Sequence, residues 1–280
     1  MRKLVITAAL LLAALLPGAR AERIYAVTTS YSDGSLSLFG FDTTAPNTHL
    51  STTGISGLQS GETILGIDLR PATVTVYALT NQSRLYTLNL LTGAATVVGT
   101  QFSTALNGTN FGFDFNPVTD RVRITSNTGQ NLVINPNTAA VESSGAVFDG
   151  APYTALAYAN NINGASTTQL YGIASDNSLR LIDETTNGST VIGSISGSNY
   201  IPSVLGFDIS GSGVGYYNKV NSGVMLLQSV NLANGSSTNL GIFDTGNAYL
   251  VGMTVVPEPG TAGLLALAGL ALVLRPRRRR

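Results

Sequence analysis

The chain has 280 residues, no cysteine, a single histidine and only 11% charged residues, with 31 glycines. That excludes thiol catalysis, disulfide staples and Cys- or His-built metal sites, and it suits a turn-rich β domain resting on its own core. The formal charge of zero hides an uneven layout: between Glu22 and Val256 seven basic residues face fourteen acidic ones, a net of −7, which argues against nucleic acid as a partner.

In chain order, residues 1–21 read as a signal peptide for a signal peptidase. Arg2 and Lys3 form the basic end, residues 4–16 the apolar run, and Ala19-Arg20-Ala21 the small-x-small cleavage site. The apolar run is too short to span a bilayer comfortably. Residues 24–27, 35–41 and 49–54 then predict three strands, with no innermost strand before them. The single histidine, His49, falls in the third of these and reads as a surface residue, because no Gly-x-Ser-x-Gly turn accompanies it.

Residues 65–99 predict four short strands separated by turns, and the rest of the chain repeats them. The heptad beginning at Leu65, LGIDLRP, returns at Phe111 as FGFDFNP, at Leu156 as LAYANNI, at Leu205 as LGFDISG and at Val251 as VGMTVVP. A closing glycine returns at Gly54, Gly99, Gly145, Gly193 and Gly241. Four strands in about 45 residues is the signature of a propeller blade. Three strands at the start, four full repeats and one strand at residues 251–256 sum to five blades. The expected fold is therefore an all-β, five-bladed propeller over 22–256, its C-terminal strand closing the N-terminal blade and hiding the sheet edges. Each innermost strand opens on a small residue (Gly66, Gly112, Ala157, Gly206, Gly252), as expected where backbones crowd around an axis. Second strands carry Tyr25, Tyr77, Arg123, Tyr171 and Tyr216 at comparable places, and all loops read as short.

Three aspartates, Asp68, Asp114 and Asp208, stand two residues after the small one and so share a face and a level; Ala159 and Thr254 fill the other two places. Converging carboxylates repel unless hydrogen-bonded, protonated or neutralised. Two arrangements are open. Each Asp accepts backbone N–H bonds from the neighbouring blade, or the three hold Ca²⁺, a hard ion that takes oxygen ligands. Arg70, Arg121 and Arg123 either pair with Asp68, Asp114 or Asp120 in an inter-blade network or form an anion site. Glu62 with the three aspartates could supply the carboxylates of a glycosidase, although matched positions argue for a structural repeat. No catalytic residue is assigned.

The tail, residues 257–280, has three parts: Pro257-Glu258-Pro259, an apolar run over 261–274, and Arg275-Pro276-Arg277-Arg278-Arg279-Arg280. It resembles the PEP-CTERM sorting signal of Gram-negative bacteria. The resemblance implies a short transmembrane helix with the arginines in the cytoplasm, recognition by an exosortase and removal of the tail. Within the body, the phrases GETILGIDLRP from Gly61, RLY from Arg84, LNG from Leu106, DRVR from Asp120 and NTGQN from Asn127 resemble an uncharacterised bacterial family. That family is a domain of unknown function found in exported proteins, sometimes with this same tail, and it supplies no catalytic residues. The functional expectation is a non-enzymatic propeller at the cell surface or in the extracellular matrix, binding a glycan, a protein or a cation. The alternative is an exported hydrolase or lyase acting on polysaccharide.

Overall fold

The computed structural model describes residues 21–195, 206–221 and 223–257. Residues 1–20 of the expected signal peptide (1–21), Glu258, Pro259 and the apolar run and arginines of the tail lie outside them. Among the described residues no helix is long and apolar enough to cross a membrane.

The described strands form five four-stranded antiparallel sheets. Blade 1 takes β1 (Arg23–Ser30), β2 (Leu36–Asp42) and β3 (Ser51–Gly54). Blade 2 is β4 (Ile64–Arg70), β5 (Thr75–Thr80), β6 (Arg84–Leu88) and β7 (Ala95–Val98). Blade 3 is β8 (Phe111–Asn116), β9 (Arg121–Ser126), β10 (Gln130–Ile134) and β11 (Val141–Ala146). Blade 4 is β12 (Tyr153–Tyr158), β13 (Leu170–Ala174), β14 (Ser178–Asp183) and β15 (Gly188–Ser194). Blade 5 is β16 (Phe207–Ile209), β17 (Gly215–Asn221), β18 (Val224–Val230) and β19 (Ser237–Ile242). The last strand, β20 (Ala248–Val256), pairs with β1 and completes blade 1 from the other end of the chain. Contacts run β20 to β4 to β8 to β12 to β16 and back to β20, so the ring is closed. The expected five-bladed propeller, closed by its C-terminal strand, is the fold observed.

Alternation along each innermost strand sends side chains to the two neighbouring blades in turn, and apolar residues fill both interfaces. Ile67 and Leu69 of β4 pack with Val27, Leu38 and Val251 of blade 1. Phe113 and Phe115 of β8 pack with Tyr77 and Leu79 of blade 2. Similar clusters join blades 4 and 5 and blades 5 and 1. The crowding expected at the glycines is real: a Cβ on Gly66 would sit 3.2 Å from the Phe113 Cβ, and one on Gly112 would sit 2.7 Å from the Leu156 Cγ.

That second contact corrects the reading of blade 4. The residue facing the glycine is one past the small position in the next blade, as Phe113 is one past Gly112, so Leu156 is one past Ala155. The small residue of blade 4 is therefore Ala155, and the place of the aspartates is taken by Ala157, not Ala159, which lies beyond β12. Strand pairing agrees. Tyr77 faces Asp68, Arg123 faces Asp114, Tyr216 faces Asp208 and Tyr25 faces Thr254, while Tyr171 faces Ala157. The loop of residues 159–169 between β12 and β13 also exceeds the short loops expected throughout.

Candidate functional site

The three aspartates meet at the axis. Each is 1% exposed, and they offer carboxylate oxygens lying within 4.8 Å of one another. None forms an ion pair with Lys or Arg among the described residues. Their partners are backbone N–H groups of the following blade. Asp68 Oδ2 accepts from the Phe115 N–H at 2.8 Å, Asp114 Oδ1 from Tyr158 at 2.9 Å, and Asp208 Oδ2 from Val255 at 2.6 Å. Thr254 does the same for blade 2, its Oγ1 accepting from the Leu69 N–H at 3.1 Å. These four donors occupy one matched position, so the ring is a cycle of side-chain-to-next-blade bonds.

Blade 4 breaks the cycle, because Ala157 has nothing to offer Ile209 of blade 5. Asp208 covers the gap by bending its other oxygen, Oδ1, onto the Ile209 N–H at 2.6 Å. One carboxylate thus satisfies two matched backbone donors, which accounts for an alanine being tolerated at the ring. Of the two arrangements left open by the sequence, the inter-blade bonds are present. The oxygens also fit a cation in spacing, since two oxygens on one Ca²⁺ at about 2.3–2.6 Å lie at most roughly 5 Å apart.

Electrostatics at the ring follow from burial. Desolvation, then the charge of Asp208, pushes the Asp68 carboxyl well above the ordinary carboxylate range. Desolvation, then Asp68 and Asp208, does the same to Asp114. Burial lifts Asp208 up to about 6, held back by the Val255 N–H and the Thr254 hydroxyl. Thr254 Oγ1 lies 3.0 Å from Asp68 Oδ1 and 2.9 Å from Asp208 Oδ2 while accepting from Leu69. A hydroxyl has one hydrogen and two lone pairs. All three contacts are satisfied when one carboxyl is protonated and donates to Thr254, which in turn donates to the other.

The axis beside the ring is nearly filled. Among the described residues, Gly66, Gly112, Ala155, Gly206 and Gly252 line a cavity there of about 20 Å³. That is the space of a single water or ion, so a sugar ring does not reach the carboxylates from this side.

The other predicted site residues are elsewhere. Glu62 stays within blade 2, held by the Tyr86 hydroxyl, by Thr80 at 3.2 Å and by Arg84 at 3.4 Å. Arg70 leaves the ring and crosses to blade 3, where it binds Asp120 at 2.5 Å and Asn137 at 2.8 Å. Arg123 crosses from blade 3 to Glu184 of blade 4, with Tyr158 Oη at 2.8 Å and Asn131 at 2.7 Å. Arg121 pairs with Glu142 at 2.5 Å. Arg70 and Arg123 thus bridge blades while Arg121 stays within blade 3, and the partners are Asp120, Glu184 and Glu142 in place of Asp68 and Asp114. His49 lies just before β3, exposed, with Nε2 2.8 Å from the Asp244 carbonyl and its ring stacked 4.6 Å from Phe39. Pro257 follows β20 directly, and the rest of the Pro-Glu-Pro motif lies outside the described residues.

The model of a domain of unknown function, DUF4394, matches residues 37–254. The chain belongs to the DUF4394 family. No functionally curated protein matches it in sequence. Among solved structures it is similar to a protein of unknown function from Bacteroides caccae, with a TM-score of 0.50 and 8% identity over 85% of this chain and 100% of that one. A chain of a nidogen/laminin complex aligns with a TM-score of 0.49 and 12% identity, covering 85% and 98%. TolB from Acinetobacter baumannii aligns at 0.45 and 14%, covering 85% and 67%. At such identities the likeness reaches the fold alone.

The family label assigns no activity, so function must be argued from sites. One site was only half seen in the sequence: a surface groove of about 500 Å³ between blades 3 and 4, lined by Asn116, Arg121, Arg123, Glu142, Glu184 and Thr185 among others. Arg121 and Arg123 alternate on one strand and so pointed to it. Glu142 and Glu184 are brought there from the third-to-fourth-strand regions of two different blades, which no local spacing shows.

Proposed function

We propose that this DUF4394 propeller is an exported, non-enzymatic binding protein of the cell surface or extracellular matrix, where it holds a matrix polysaccharide or a surface protein. The observation that carries the non-enzymatic reading is the state of the axis. The carboxylates there are each 1% exposed and engaged with backbone N–H groups, beside a space of about 20 Å³. Two axial acids serving hydrolysis would need room for a sugar between or beside them. Export is supported by the basic-apolar-small pattern of residues 1–21. Sorting by an exosortase-type system is supported by the Pro257-Glu258-Pro259 motif with its apolar run and terminal arginines. Should the ring take a cation, Asp68, Asp114, Asp208 and the Thr254 hydroxyl would hold it, and the ion would neutralise the buried carboxylates.

Two measurements test the proposal. Purified protein mixed with a panel of matrix polysaccharides should co-sediment with at least one and release no reducing ends or unsaturated products. Product release would make it a hydrolase or lyase, and failure to bind any polymer or surface protein would remove the binding role. Intact-mass spectrometry of protein recovered from the cell surface should show a chain beginning at Glu22 and ending between residues 257 and 261. A retained Arg280 would overturn the sorting.

A further inference from the structure

The interfaces between blades 2 and 3 and between blades 3 and 4 differ at two matched residues. Two places after Asp68 stands Arg70, which fills the space between its blade and the next by reaching Asp120 and Asn137. Two places after Asp114 stands Asn116. Its side chain folds back instead, Oδ1 accepting from the Val118 N–H at 2.9 Å and the Thr119 N–H at 3.0 Å. The crossing to blade 4 is made by Arg123 on the second strand, where blade 2 has Tyr77. No arginine stands at this matched position, and Asn116 there lines the groove of about 500 Å³. That size lies within the range of small-ligand sites.

Its chemistry is selective. Arg121 with Glu142 and Arg123 with Glu184 cancel, so the lining carries no net formal charge. An anion entering would meet the negative charges of Glu142 and Glu184 beside the arginines it would seek. Hydrogen-bonding capacity is nevertheless left over on both walls. Arg121 Nη2 and Asn116 Nδ2 are donors without partners among the described residues, and Glu184 Oε2 and the Thr185 hydroxyl are spare acceptors facing them from blade 4. Fixed donors on one side and acceptors on the other suit groups that do both, which are hydroxyls. The pairing also holds both arginines in place before any ligand arrives, which reduces the ordering that binding must supply.

We infer that the groove between blades 3 and 4 is a binding site for a neutral oligosaccharide. This rests on the polysaccharide-binding reading above and names its site and ligand class. The test uses the full chain and tetrasaccharides of glucose, galactose and mannose, with tetragalacturonate as the acidic arm, by saturation-transfer NMR and calorimetry. At least one neutral tetrasaccharide should bind at millimolar concentrations and tetragalacturonate should not. Asn116→Arg, which installs the filling residue of the neighbouring interface, should weaken that binding by about tenfold or more, the loss of one or two hydrogen bonds and the volume with them. Asn116→Asp keeps the turn-capping oxygen and the open groove while removing the spare donor, so it should weaken binding less while leaving the melting temperature unchanged. Neutral binding untouched by Asn116→Arg would move the site elsewhere and leave the binding role standing. Preference for tetragalacturonate would overturn the ligand class. If no tetrasaccharide binds while a polymer of the panel still co-sediments, this inference fails and the broader reading survives; if neither binds, both fail.

Discussion

Replacing Thr254 by valine tests the axial ring at its most connected atom. Valine has nearly the same shape, so packing around the fully buried position is kept and only the hydroxyl is removed. Two things are lost with it. The Leu69 N–H, which donates to Thr254 Oγ1 at 3.1 Å, is left buried without an acceptor, worth about 1–3 kcal/mol. The hydrogen bond to the carboxylates of Asp68 and Asp208, at 3.0 and 2.9 Å, is worth roughly another 1.5–3 kcal/mol because the acceptor is charged. A conservative total is about 3 kcal/mol, a large part of the stability of an ordinary domain. For a domain of this size that is a fall in melting temperature of about 6–12 °C. Thr254→Ser keeps the hydroxyl and loses one methyl, so it should cost about 1 kcal/mol. The assay is urea unfolding of both variants beside the wild type, with the m-value checked for constancy. If valine and serine prove equally stable, the hydroxyl is not a member of the ring and the reasoning fails.

Removing residues 251–256 should leave blade 1 without its innermost strand and strip Val251, Met253 and Val255 from the core, about 1.5–3 kcal/mol each, so the chain should aggregate or lose its cooperative melt; an unchanged melt would refute ring closure. The ring should also make stability fall as pH rises. Its carboxyls hold protons more tightly folded than unfolded, so stability present near pH 4 is lost through about 6, on the order of 3 kcal/mol for Asp208 alone, and urea unfolding across pH should show this limb flattened in Asp208→Asn. Below pH 4 the opposite sign takes over, because Asp176 and Glu142, held low by Ser178 and Arg121, lose their bonds on protonation. With every matched backbone donor satisfied, a chelator should leave the melting temperature unchanged; a fall restored by Ca²⁺ and blunted in Asp114→Asn would place a cation at the ring.

The architecture was legible because a propeller writes its period into the chain. Each blade repeats the same order of strand and turn, and the absence of a first strand at Arg23 together with a spare strand at Val251 announced the closure. The aspartates were legible as a level for the same reason. Their partners were not, because a backbone N–H leaves no mark on the sequence: nothing in the letters distinguishes Phe115 as a donor to Asp68. The arginines were half legible, their alternation on β9 being local while Glu142 and Glu184 are not.

Blade 4 shows where the repeat misleads. Matching by the distance between innermost strands placed Leu156 against Leu65, and the extra residues of the 159–169 loop pulled the alignment two positions along. A shift of two keeps side chains on the same face, so alternation gave no warning. The second strand held the correct answer. The residues opposite Asp68, Asp208 and Thr254 are all tyrosines, and counting back across the hairpin from Tyr171 leads to Ala157 only when the loop length is known. An alanine offers no acceptor on either reading, but the structure puts the gap at residue 157, next to the Ile209 N–H of blade 5. The doubled bonding of Asp208, to Ile209 and Val255 together, is what the ring does about that loss. Ala157→Asp should therefore not simply restore symmetry: it would place a fourth carboxylate among three that burial already pushes toward the protonated form.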